Sequence, residues 1–141
     1  ELGVHQISLL SSDHCAVKLD QKRLEKKLLH WQGVIVSACE QCGRNRLPLI
    51  SSPVPVRHFL SETQADQQII LHPGGNSLNR EGLQPQSVAI VSGPEGGFSD
   101  DEIEYSIREN FEVLSLGPRI LRAETAPLTA ISLVQHHWGD M

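Results

Sequence analysis

Leu24, Leu28, Trp31, Ile35, Ala38 and Cys42 recur at spacings of four, three, four, three and four, which places them on one face of a long helix. Lys22, Arg23, Lys26 and Lys27 then fall mostly on its wet side. In the middle of this helix, Gly33 and the β-branched run Val34-Ile35-Val36 argue against it, and a buried strand is the alternative for that run. Upstream, residues 5–10 have a strand pattern closed by the polar Ser11-Ser12-Asp13. After Gly43, the prolines Pro48, Pro53 and Pro55 predict an irregular connection that does not pack, followed by a short helix over 56–62. Residues 68–72 form a short apolar strand stopped by Pro73-Gly74-Gly75, and the polar stretch 76–86 reads as an exposed loop. Val88-Ala89-Ile90-Val91 is apolar throughout, the mark of a strand buried on both faces. Ser99-x-x-Glu102 is a capping box that opens a helix over 99–110. A strand over 112–116 and a helix over 127–137, with Pro127 in its first turn, complete the pattern. Strands alternating with helices predict an α/β fold whose mostly parallel sheet is flanked by helices.

Composition narrows this picture. A chain of 141 residues, 39% hydrophobic and 21% charged, supports one ordinary core and excludes a disordered or collagen-like chain. Residues 1–141 are therefore expected to form a single domain. Gly3 reads as the residue that closes a helix lying upstream, so a fragment of a longer protein is expected. No run approaches the roughly 20 apolar residues of a membrane span, and no signal-peptide pattern opens the chain, so a cytoplasmic location away from membranes is expected. Cys39-x-x-Cys42 lacks the second ligand pair of a structural zinc site, and small thiols pack well in an amphipathic helix. The seven histidines do not cluster with acids or thiols, and no metal is expected.

The formal charge of −5 argues against nucleic-acid binding over the whole surface. Its distribution is uneven. Lys18, Lys22, Arg23, Lys26, Lys27, Arg44 and Arg46 are seven of the twelve cationic side chains, so one face is basic.

Two loops carry the candidate chemistry. Gly93-Pro94-Glu95-Gly96-Gly97 follows the Val88 strand and precedes the Ser99 helix. In open α/β sheets ligands bind outside the carboxyl ends of strands, where glycines let backbone amides approach them. Neither phosphate-binding glycine fingerprint occurs here. Asp100, Asp101 and Glu102 crowd the first turn of the helix and neutralise the dipole end that would attract an anion. The loop thus suits an uncharged or cationic ligand, and S-adenosylmethionine fits; a ligand-free turn joining strand to helix is the alternative. The second loop, Leu116-Gly117-Pro118-Arg119-Ile120-Leu121-Arg122-Ala123-Glu124-Thr125-Ala126, is long for a structural connection and holds arginines beside a glutamate. A solvated connection with Glu124 pairing Arg122 is the plain alternative.

These motifs, with Glu1-Leu2-Gly3-Val4, Glu40-Gln41-Cys42-Gly43-Arg44-Asn45-Arg46-Leu47-Pro48 and Leu71-His72-Pro73, resemble the SPOUT-class methyltransferases that methylate N3 of a uridine in bacterial 16S ribosomal RNA. The resemblance spans nearly the whole chain. It implies a sheet whose carboxyl-terminal segment is threaded into a trefoil knot, a rare exception to the usual connection rules. It further implies a homodimer, with each active site completed near the partner subunit, and an amino-terminal RNA-binding domain of PUA-like type that these residues do not include. The knotted loops of such enzymes hold S-adenosylmethionine. That carries over to Leu71, His72 and Pro73, to Gly93, Pro94, Glu95, Gly96 and Gly97, and to Leu116, Gly117, Ile120, Leu121, Thr125 and Ala126.

Uridine N3 is a poor nucleophile until its proton leaves, so a base and a charge-stabilising cation are expected. Arg122 is the candidate cation, and Glu124 or Glu95 the candidate base. Arg44 and Arg46, with Gln41, are candidates for contacts to the 16S RNA; cations closing a solvated helix end are the alternative. Rival readings are a SPOUT methyltransferase acting on another RNA nucleotide, a non-catalytic adenine-ligand domain, and an RNA-binding module.

Overall fold

A computed structural model describes residues 1–15, 20–78 and 82–141. Elements run β1 (Gln6–Ser11), α1 (Gln21–Cys42), β2 (Leu49–Pro55), α2 (Val56–Glu62), β3 (Gln67–Asn76), β4 (Val88–Val91), α3 (Asp100–Arg108), β5 (Glu112–Leu114) and α4 (Thr125–Trp138). Every pairing is parallel. The described strands form a two-stranded sheet, β1-β2, and a three-stranded sheet of order β4-β3-β5. The expected parallel α/β architecture is present, divided between two sheets.

The three-stranded sheet holds the core, because its central strand alternates buried side chains between two covered faces. Ile70 joins Val56 and Leu60 of α2, Val91, Phe98 and Phe111 on one face. Ile69 and Leu71 join Leu114 and Ala130 of α4 on the other. Ile69 and Ile70 are fully buried, and each such side chain contributes about 1.5–3 kcal/mol of hydrophobic free energy.

The long helix is continuous through Val34-Ile35-Val36. Asp20 caps it, its Oδ1 accepting from the Arg23 amide at 2.9 Å, and Gly43 closes it with φ 76°. Leu24, Leu28, Trp31, Ile35 and Ala38 do form its less exposed face, but Cys42 is exposed and only Cys39 is fully buried.

Three sequence expectations are corrected. The proline-rich segment after Gly43 is a strand, since β2 pairs with β1 from Gln6↔Leu49 to Ser11↔Pro55. Pro53 falls at the irregularity between Ser8↔Ser51 and Leu10↔Val54, and Pro55 ends the strand, positions at which a sheet tolerates proline. Pro73-Gly74-Gly75 does not stop β3. The strand bulges there and returns, so that Leu71 and Asn76 both pair with Leu114. Gly75 allows this because a Cβ would stand 2.6 Å from the Val113 carbonyl oxygen. Finally, β4 is not buried on both faces: only Val91 is buried, and Val88, Ala89 and Ile90 are half-buried. Beyond β4 lies an open cleft of about 1780 Å³, lined by β1, β4, Ile35 and Ala38 of α1, and Ile131 and Trp138 of α4. The expected loop over 76–86 falls partly outside the described residues.

Candidate active site

Parallel pairing fixes where the loops emerge. Ile70↔Val91 and Leu71↔Leu114 bring β3, β4 and β5 into register, so the β3 bulge at 72–75 and the loops 92–98 and 115–124 all lie at the same end of the sheet. Leu71-His72-Pro73, the glycine loop and the long loop are thereby neighbours by topology. A cavity of about 210 Å³ lies beside the start of the long loop, with Ser77, Leu78, Ser115, Leu116, Gly117 and His137 among its walls.

The glycine loop is a tight turn, closed by the Gly97 amide donating to the Pro94 carbonyl at 2.9 Å. Gly97 has φ 70°, a conformation that disfavours side chains, and a Cβ on Gly93 would press on the Phe98 ring at 3.1 Å. Glu95 and Gly96 are exposed. The capping box forms as expected: the Glu102 amide donates to Ser99 Oγ at 3.3 Å, and the Ser99 amide donates to Glu102 Oε2 at 2.9 Å.

The long loop curls into α4 through the Thr125 and Ala126 amides, both donating to the Arg122 carbonyl at 3.0 Å. Gly117 has φ 99°. Leu116 and Ala126 pack against the Leu71 and Leu114 cluster, whereas Ile120 stands 84% exposed. An apolar side chain so displayed is available to a ligand or a second molecule. Arg122 and Glu124 approach to 3.9 Å while their side chains remain 86% and 69% exposed.

Gln41, Arg44 and Arg46 are not brought to these loops. The Arg44 guanidinium donates to the Val4 carbonyl at 2.9 Å, which holds this cluster at the amino end of β1. The glycine loop lies beside the carboxyl end of β1. Six residues of strand separate the two, about 20 Å at the usual rise. Gln41 and Arg46 are exposed, while Arg44 is half-buried by its tether.

Sequence reasoning missed the segment that touches the glycine loop. The Asp13 amide donates to Glu102 Oε1 at 2.9 Å, the Ser99 hydroxyl donates to Asp13 Oδ2 at 2.7 Å, and His14 Nδ1 lies 3.1 Å from the Gly96 carbonyl oxygen. These contacts join residues more than eighty positions apart. Ser11-Ser12-Asp13 carried only a strand-end signal. Among the described residues no group of acids, thiols and imidazoles could hold a metal, and no helix is long and apolar enough to cross a membrane.

A family profile described as RNA methyltransferase domain matches residues 1–135. Ribosomal RNA small subunit methyltransferase E of Buchnera aphidicola subsp. Schizaphis graminum is 37% identical over 143 residues, covering 100% of this chain and 58% of the relative. The protein of the same name from Bacillus subtilis is 32% identical, covering 96% of this chain and 57% of its own. Among solved structures, a Legionella pneumophila protein in complex with the bound cofactor SAM superposes with a TM-score of 0.94 at 44% identity, over 99% of this chain and 58% of that one. A Neisseria gonorrhoeae ribosomal RNA small subunit methyltransferase E bound to S-adenosyl methionine superposes with a TM-score of 0.89 at 35% identity, with the same coverage. The chain spans a little over half the length of these relatives.

Proposed function

The chain belongs to the RNA methyltransferase family, and from that premise we propose that it transfers the methyl group of S-adenosylmethionine to N3 of a uridine in 16S ribosomal RNA. The observation that carries this reading is that the β3 bulge and the loops after β4 and β5 lie at one end of the parallel sheet. Two relatives of high structural similarity, solved with the same methyl donor, support it.

The residues present fit this donor. Backbone amides and carbonyls of 93–97 and 115–121 offer neutral hydrogen bonds. The acidic first turn of α3, with Asp100, Asp101 and Glu102, favours a cationic group over a phosphate. Leu71, His72, Pro73, Gly93, Pro94, Glu95, Gly96 and Gly97 would line one side, and Leu116, Gly117, Ile120, Leu121, Thr125 and Ala126 the other. When bound, S-adenosylmethionine supplies an electrophilic methyl carbon. The protein's part is to hold uridine N3 in line with it, about 3–3.5 Å away, and to manage one proton. Arg122 offers its guanidinium to the uracil oxygens as negative charge develops, and Glu124 or Glu95 accepts the N3 proton.

The same reading includes a trefoil knot formed by residues after β5, with α4 returning past β3 to pack on β4. It also includes a homodimer in the cytoplasm, and a longer protein in which 1–141 is joined to an amino-terminal RNA-binding domain. In such a homodimer a second subunit could add its own Arg44 and Arg46 to Arg119 and Arg122 of the long loop, since the Arg44 and Arg46 of one chain lie a strand length from its own loops.

The decisive experiment is mass spectrometry of ribosomal RNA nucleosides from cells lacking the full-length protein. Loss of 3-methyluridine from 16S RNA, restored by the gene, is expected. Loss of a different methylated nucleoside would assign another target, and an unchanged profile would defeat the proposal.

A further inference from the structure

The loop most directly implicated in cofactor binding is held from outside by residues that no motif in the chain singles out. Residues 12–15 follow β1, yet they dock on the turn after β4. His14 Nδ1 faces two carbonyl oxygens, of Gly96 at 3.1 Å and of Gly97 at 3.3 Å. Both are acceptors, so Nδ1 carries a proton and donates to them. The fit is close: a Cβ on Gly96 would stand 3.0 Å from His14 Cβ.

Asp13 completes the attachment one residue earlier. Its carboxylate accepts the Ser99 hydroxyl proton, while its amide donates to Glu102, a side chain only 1% exposed. Glu102 thus binds two backbone amides, one from each segment, with its two carboxylate oxygens. A buried carboxylate saturated in this way is a rigid joint.

We propose that Asp13 and His14 are positioning residues that set the conformation of the glycine loop for S-adenosylmethionine, acting through Gly96, Gly97 and Ser99. The physical link is the planar trans peptide, whose carbonyl and amide point in opposite directions. Fixing the Gly97 carbonyl on His14 aims the Phe98 amide the other way. The Gly96 carbonyl shares its plane with the Gly97 amide, which closes the turn onto Pro94.

This inference rests on the cofactor assignment above, and its test separates the two. S-adenosylmethionine is titrated calorimetrically into the full-length protein and its His14→Ala, His14→Gln, Asp13→Ala and Asp13→Asn variants. Amide hydrogen exchange over residues 95–98 is followed without ligand. Each alanine variant is expected to weaken S-adenosylmethionine binding about tenfold, the scale of one lost hydrogen bond. It should speed exchange in the loop and raise the cofactor KM with kcat changed less than about threefold. Gln at 14 and Asn at 13 should restore much of the affinity, because each keeps the required donor or acceptor. His14 is exposed, so His14→Ala is expected to keep the wild-type melting temperature and to serve where Asp13→Ala unfolds. Wild-type binding matched by all four variants, with unaltered loop exchange, would overturn the positioning role. Absence of binding by the wild type would instead overturn the cofactor assignment, and loop exchange would still report the attachment.

Discussion

Arg122 leans on Glu124 at 3.9 Å with most of its side chain in water. Exposed pairs of this kind contribute about 0–1 kcal/mol, so the guanidinium can turn towards a substrate at little cost. Arg122→Ala is expected to lower kcat about a hundredfold, the effect of removing one charge-stabilising donor. The Kd for S-adenosylmethionine should move less than about threefold. Single-turnover methylation and calorimetry on the full-length protein measure the two, and equal losses would take Arg122 out of the transition state. Gly75 makes a different demand. Its missing Cβ leaves room for the Val113 backbone, which cannot swing aside as a side chain would. Gly75→Ala should cost about 1–3 kcal/mol of overpacking, read as a lower urea midpoint; an unchanged midpoint would contradict the close approach of β3 to β5. The sequence showed a glycine beside a proline and suggested a strand end. Which neighbour required that glycine depended on a contact 38 residues away, which local pattern does not encode.

Elements were legible where periodicity was long. The three-and-four spacing from Leu24 to Cys42 defined α1 despite Gly33 in its middle, because a face repeated over most of a 22-residue helix outweighs one poor helix former. A Cβ at Gly33 would meet nothing within 4 Å, so a side chain there acts only on the backbone. Gly33→Ala should therefore stabilise the protein by about 0.5–1 kcal/mol, raising the midpoint of thermal or urea unfolding, and a fall would reveal a neighbour in the assembled protein. The strand β2 was illegible for the opposite reason. Proline argues against a central strand but not against an outer one, and outer position is a property of the sheet. The capping box at Ser99 was legible from four residues; its union with Asp13 was not, since it joins two loops through tertiary packing.

Across the molecule, two groups of cations flank α1, with Lys22, Arg23, Lys26 and Lys27 at its start and Arg44 and Arg46 after its end. If both groups meet ribosomal RNA, each phosphate contact removed should flatten the dependence of log affinity on log salt by about 0.7. Lys26→Ala and Arg46→Ala in the full-length protein should each do so, and their effects should add because the sites share no partners. Filter binding between low and physiological salt provides the measurement, and an unchanged slope for either would remove that residue from the RNA contact. The parallel α/β plan and the two loops that follow β4 and β5 were visible in the sequence alone, whereas the distance between basic cluster and loops depended on strand direction and length. The cleft beyond β4 bears on colloidal behaviour. Among the described residues β1 pairs only with β2 and β4 only with β3, which leaves each with an unpaired edge, and both strands line the cleft, the place where a foreign strand could enter. Mutual repulsion from a net charge of −5 opposes such recruitment at low ionic strength, and salt screens it. The isolated 141-residue chain is thus expected to lose monodispersity in light scattering as salt and concentration rise together, even where its melting temperature does not change.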